Sequence, residues 1–139
     1  MSRVFFTDRD LGNRFPEILS SAGLAVERHR DHFAHDTRDE EWLAVIGERG
    51  WIALTHDGRI RYKPNELAAV ERHRLSLLVI IGRAPYPELA ASFVASLPRI
   101  ESFLSRHQPP FIGKVFRPSP AELKRNRTAT GRVELWYPR

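Results

Sequence analysis

Short apolar runs separated by amphipathic stretches organise most of the chain. Val4-Phe5-Phe6, residues 24–28, Trp51-Ile52-Ala53-Leu54, residues 75–81 and residues 111–116 are bounded by glycine, proline or polar turn residues, the pattern of buried strands. The run at 75–81, Leu-Ser-Leu-Leu-Val-Ile-Ile, lacks the apolar–polar alternation of a half-exposed strand, so both of its faces are expected to be covered, as in a parallel sheet. Between these runs the apolar positions follow the helical period. Leu11, Phe15, Ile18, Leu19 and Ala22 mark a helix over 11–22, with Asp10 or Asn13 as its cap and Gly23 as its stop. Pro16 is tolerated there only in a first turn, which places the start near Arg14 or Phe15.

Residues 29–38 are polar and read as a loop. Asp36 or Thr37 then caps a helix whose first turn carries Asp39, Glu40 and Glu41. Its buried face is Trp42, Leu43, Val45 and Ile46, and Gly47 or Gly50 ends it. Pro64 opens a further helix to about residue 74. A long one is expected over 86–106, kinked or broken at Pro98. Strands alternating with helices in this order predict an α/β fold: a three-layer α/β/α domain on a mostly parallel central sheet with right-handed crossovers. That domain is expected over 1–117. Residues 118–139 are expected to form a basic C-terminal tail, with Lys124, Arg125, Arg127 and Arg132 and a small strand at Val133-Glu134-Leu135-Trp136-Tyr137.

Composition narrows the chemistry. The chain has no cysteine, which excludes disulfides, thiolate zinc sites and cysteine nucleophiles. No apolar run approaches the roughly 18 residues a membrane span needs, and the first residues lack a secretory pattern, so a cytoplasmic protein is expected. The net charge is +5, from 22 Lys and Arg against 17 Asp and Glu. A basic surface attracts a polyanion, and acids gathered at strand ends can hold the cation that acts on it.

Those acids are placed suggestively. Thr7-Asp8 follows the first apolar run and His56-Asp57-Gly58 closely follows the third, so two carboxylates are expected at the carboxyl edge of one sheet, where open α/β sheets bind ligands. A third group, Asp36 to Glu41, lies between them in sequence. Three sources of carboxylate suit Mg²⁺ or Mn²⁺, hard ions that prefer oxygen. Each acid also has a structural role open to it, as a turn or cap residue. The series His29, His32 and His35 lacks the cysteine partner or second cluster that a zinc site needs.

Taken together, Thr7-Asp8-Arg9-Asp10-Leu11, Asp39-Glu40-Glu41-Trp42-Leu43 and Ala53-Leu54-Thr55-His56-Asp57 resemble the PIN-like nucleases, over roughly residues 3 to 82. Within these, the similarity is to the compact bacterial group that includes VapC-type toxins of toxin–antitoxin pairs. The resemblance implies a metal-dependent ribonuclease with Asp8, Asp39 and Asp57 as metal ligands for Mg²⁺ or Mn²⁺. Glu40 and Asp36 are neighbouring candidates for the helix-opening acid, and Thr55 would steady Asp57. It also implies an RNA substrate, a cognate antitoxin that covers or disorders the acidic pocket, and homodimerisation as a common habit. The family often has a further Asp after the third strand; Gly58-Arg59-Ile60-Arg61 stands there instead, so a fourth acid is either missing or supplied from elsewhere. Arg59, Arg61 and Lys63 either grip a phosphate backbone or form a solvated loop, and His56 is either an ordinary exposed histidine or an aid to proton transfer.

Two other classes fit parts of the same pattern. A non-catalytic nucleic-acid or protein-binding module on this scaffold would use the basic residues and ignore the acids. A receiver-like phosphotransfer domain would need two adjacent acids after the first strand and a lysine at a late strand end. Here Arg9 separates Asp8 from Asp10, and Arg83 follows Gly82.

Overall fold

The computed structural model describes residues 3–138, with only the backbone described at Arg61. Its strands are β1 (Val4–Thr7), β2 (Ala25–Arg28), β3 (Ile52–Thr55), β4 (Ser76–Ile81), β5 (Phe111–Phe116) and β6 (Val133–Tyr137). They form one sheet in the order β2-β1-β3-β4-β5-β6, parallel except for β6, which runs antiparallel to β5. The helices are α1 (Arg14–Ser21), α2 (His29–His32), α3 (Asp39–Arg49), α4 (Pro64–Arg72), α5 (Tyr86–Ala95), α6 (Leu97–Arg106) and α7 (Pro120–Arg125).

Residues on a strand point alternately to its two faces, and here both faces are apolar. Phe5, Leu54, Leu78 and Ile80 join one core with Phe15 and Leu19 of α1, Phe93 of α5 and Phe103 of α6. Phe6, Ala53, Leu77 and Val79 join a second core with Trp42, Leu43 and Ile46 of α3 and Val70 of α4. Two cores on opposite faces of one sheet are the three-layer α/β/α architecture that the apolar runs imply. Gly113 of β5 leaves room for it: a side chain there would lie about 3 Å from Leu78 and from the Phe103 ring.

This topology creates the crevice that matters. The chain leaves β1 for α1 on one face and goes to β2; it leaves β3 for α4 on the other face and goes to β4. The carboxyl ends of β1 and β3 therefore flank the point where the winding reverses, where such sheets open a ligand crevice.

Several boundaries depart from expectation. The helix expected over 11–22 is split. Asp8 caps a short 3-10 turn, Arg9–Leu11, by accepting a hydrogen bond from the Arg9 amide. Gly12 stops it at φ +70, beside the Tyr86 ring, a backbone state that disfavours any side chain. Helix α1 then begins at Arg14, with Pro16 in its first turn. The polar loop over 29–38 contains α2, and α3 is preceded by Arg38 rather than capped by Asp36 or Thr37. The long helix is interrupted at Ser96, next to Leu97 and Pro98. The C-terminal stretch holds α7, closed by a capping box between Ser119 and Glu122, and its strand completes the sheet beside β5.

Candidate functional site

The end of β1 and the end of β3 meet through one hydroxyl. Thr55 is fully buried, and its Oγ1 lies 2.9 Å from Asp8 Oδ2 and 3.0 Å from Asp10 Oδ2. Asp8 also accepts from the Arg9 amide at 2.7 Å, and its own amide donates to the Leu54 carbonyl, which locks the turn onto β3. Both oxygens of Asp10 lie 3.1 Å from the His56 amide nitrogen. The Tyr86 hydroxyl, from the start of α5, donates to the Asp10 carbonyl and pins the turn from the other side.

A hydroxyl has one hydrogen to donate and two lone pairs. Thr55 already accepts from the Asp57 amide at 3.2 Å, so it can serve only one of its two carboxylates as donor. If both were ionised, the other contact would set two oxygens face to face with no hydrogen between them. One proton on Asp8 resolves this: Asp8 donates to Thr55, and Thr55 donates to Asp10. Electrostatics point the same way. Burial pushes the Asp8 carboxyl up to about 7, helped by the charges of Asp10 and Asp39 against the hydrogen bonds from Thr55 and Arg9. Burial also raises Asp10, although the His56 amide and the Thr55 hydroxyl pull the other way.

Asp57 ends its strand in the same way but has a different environment. Lys63 Nζ lies 2.7 Å from its Oδ2, and the Arg59 amide and Nε both reach Oδ1. Burial works against ionisation, yet these bonds outweigh it and hold the Asp57 carboxyl below the usual carboxylate range. Lys63 is correspondingly raised, first by its bond to Asp57. The two lysine and arginine side chains expected to grip a phosphate backbone therefore already hold an acid. The third of that group, Arg61, lies outside the described side chains.

The remaining candidates sit at different distances from this centre. Asp39 opens α3 and accepts from the Trp42 indole at 3.0 Å, and its charge is felt by both Asp8 and Lys63. Glu40 lies 3.5 Å from Arg38. His56 Nδ1 lies 2.8 Å from the Ile80 carbonyl, so that nitrogen must carry the hydrogen. The three histidines do not converge: His29 Nδ1 accepts from Arg9, and His32 Nε2 lies against Glu27. Asp36 takes part in no contact with the pair among the described residues.

Asp10 is the member of this arrangement that sequence reasoning passed over, having been assigned to helix capping. The signal for it was the Asp-x-Asp spacing directly after an apolar strand, which a 3-10 turn folds onto one edge.

The donor set fits a hard divalent cation. Asp8 and Asp10 offer adjacent carboxylate oxygens with raised proton affinity and no cationic side chain bonded to them, which is where Mg²⁺ or Mn²⁺ would replace a proton. Among the described residues no three His, Asp or Glu side chains are gathered as a ready-made metal centre. The pair is the core of any such site, with Asp39 contributing its field.

Residues 3–82, more than half of the chain, match the family model described as a PIN-like domain. No curated protein and no solved structure matches. The matched stretch runs from β1 to the end of β4 and contains every acid described above.

Proposed function

The chain belongs to the PIN-like domain family, and on that premise we propose that it is a metal-dependent nuclease that hydrolyses RNA phosphodiester bonds. The observation that carries this is the half-buried Asp8–Thr55–Asp10 arrangement at the sheet's winding reversal, with both carboxyls raised and neither neutralised by a side-chain cation among the described residues. Asp8 and Asp10 would hold Mg²⁺ or Mn²⁺, with Asp39 nearby. The chemistry supplied there is activation of water and neutralisation of charge at the phosphorus. Thr55 keeps the two carboxylates in register, the His56 amide and the Tyr86 hydroxyl fix Asp10, and Asp8 can take up or release a proton near neutral pH.

The finer assignment follows from the likeness to VapC-type toxins. The chain would be the toxin of a toxin–antitoxin pair, acting in the cytoplasm, with a cognate antitoxin over the acidic crevice and a second copy as a dimer partner. No helix among the described residues is long and apolar enough to cross a membrane. A non-catalytic RNA- or protein-binding module is the second reading. It is favoured by one observation: Lys63 and Arg59 neutralise Asp57, leaving fewer acids free than the family pattern offers.

The deciding experiment is cleavage of a mixed RNA pool with Mn²⁺ or Mg²⁺, with EDTA, and with Asp10→Asn. Metal-dependent cleavage lost in the variant is the expected result. Cleavage that persists in Asp10→Asn would overturn this site. RNA bound but never cut would favour the binding module. Induced expression that arrests bacterial growth, with Asp10→Asn harmless, would support the toxin assignment.

A further inference from the structure

A cavity of about 420 Å³ opens beside Asp8, within the size range of small-ligand pockets. Its walls include Asp8, Arg9, Asn13, Arg28, His29 and Arg30, from the turn after β1 and from the junction of β2 with α2. The hydrogen-bond partners of these arginines set them apart. Arg28 forms two bonds to the Asp31 carboxylate, which offsets its charge. Arg9 instead donates to His29 Nδ1 at 2.9 Å and to the Phe33 carbonyl at 2.8 Å. Arg30 donates to the Asn13 side-chain oxygen at 2.8 Å. Both of those guanidinium groups are thus positioned by neutral acceptors, and Arg30 also lies in the field of Asp31. Burial and then the Arg9 charge lower the proton affinity of His29.

The opposite flank of the crevice has the reverse arrangement. There Lys63 and Arg59 are bonded to Asp57, so their charge is locally cancelled. A cavity with Asp8 at one end and two guanidinium groups on its wall, each hydrogen-bonded to neutral acceptors, suits an anion held next to the reacting centre. We propose that this cavity is a phosphate subsite for single-stranded RNA. In it Arg9 and Arg30 hold the phosphodiester adjacent to the one placed at Asp8 and Asp10, and the sugar between the two phosphates fills the space. The inference rests on the nuclease assignment above and adds where the strand runs: across β1 and β2, not over the loop after β3.

The test uses the full chain and a fluorescein-labelled eight-nucleotide single-stranded RNA, with binding measured in EDTA over a salt series. Arg30→Gln is the main variant because its side chain is exposed and its described hydrogen bond is a single one, to Asn13. Its dissociation constant should rise about five- to tenfold and its log–log salt slope should fall by about one. Arg9→Gln should behave likewise; since Arg9 also ties the β1 turn to α2, its fold is checked by circular dichroism. Arg72→Gln, at the opposite edge of the sheet, should bind as the parent does. Unchanged affinity and slope in Arg30→Gln, with Lys63→Gln weakened instead, would overturn the subsite. So would a parent chain that binds no RNA. The two assignments fail separately. Arg30-dependent binding without Mn²⁺-dependent cleavage would keep the subsite and remove the nuclease. Cleavage that requires Asp10, with KM unmoved by Arg30→Gln, would do the opposite.

Discussion

The ends of β1 and β3 begin from the same sequence device, an apolar strand closely followed by aspartate, and arrive at opposite electrostatic states. At β1, Asp8 and Asp10 are half-buried and share the Thr55 hydroxyl, and both carboxyls are raised. At β3, Asp57 is met by a lysine and an arginine from the next few residues and is lowered. A strand end delivers a carboxylate; its neighbours decide whether that carboxylate is satisfied or still needs a cation. Only the β1 side lacks a side-chain cation among the described residues, and Asp8 borders the cavity in which Arg9 and Arg30 are hydrogen-bonded to neutral acceptors.

The comparison is broken most directly by neutralising one side at a time. Asp8→Asn or Asp10→Asn should lower metal-dependent RNA cleavage by about 100-fold or more, roughly 3 kcal/mol of transition-state stabilisation. The same variants should abolish the rise in Tm that Mn²⁺ gives the parent. Asp57→Asn should retain that rise, because Asp57 already has its cations. Equal losses in all three would mean that the two strand ends form one site.

Next in size is the pH dependence of folding. The Asp8 carboxyl ionises at about 3.8 in the unfolded chain and at about 7 in the fold. Between those values the folded state holds the extra proton, so stability falls as pH rises through this window and levels off above about 7. The loss attributable to Asp8 is at most about 4 kcal/mol. Denaturant titrations at pH 5 and pH 8 in EDTA should show the parent weaker at pH 8, and Asp8→Asn should remove most of the difference. Millimolar Mn²⁺ should raise Tm more at pH 8 than at pH 5, where the proton already occupies Asp8. A parent that gains stability from pH 5 to 8 in EDTA would contradict the raised carboxyl.

The architecture was legible because it depends on pattern. The non-alternating run at 75–81 announces a strand covered on both faces, and Phe93 and Trp42 are buried as the apolar periods of their helices imply, one in each core. Boundaries were less legible where a single cap competes with a period. Leu11 fits the α1 stripe, yet Asp8 and Gly12 place it in a separate turn. Within the site, Asp8 and Thr55 could be placed at the edge because each ends a strand. Asp10 was obscured because an acid just before an amphipathic stretch looks like a cap. The pairing of Lys63 with Asp57 was hidden for another reason. Six residues of separation bring the two together only because the turn at Ile60–Tyr62 folds the lysine back, and residue spacing does not disclose that.

The smallest effects belong to the satisfied side, and they sharpen the comparison by being small. Lys63 and Asp57 are both part-exposed, at 33% and 20% of their side-chain surface, so Lys63→Gln should cost less than about 1 kcal/mol of stability. Its signature is in pH. Asp57 contributes stability that is present above its unfolded ionisation range and is lost as pH falls through its lower folded value. Without Lys63 that value should move back up towards the unfolded one, and the acid-side loss should become smaller. Arg59→Gln should do less still, since 82% of its side chain is exposed and its amide bond to Asp57 survives the change. The informative quantity is Mn²⁺ affinity. If Lys63 occupies the place of a cation at β3, Lys63→Gln should leave Asp57 unneutralised and tighten Mn²⁺ binding, measured by the Tm shift at fixed pH. An unchanged shift would confine the metal to the β1 pair and make the lysine a fixed charge of the fold.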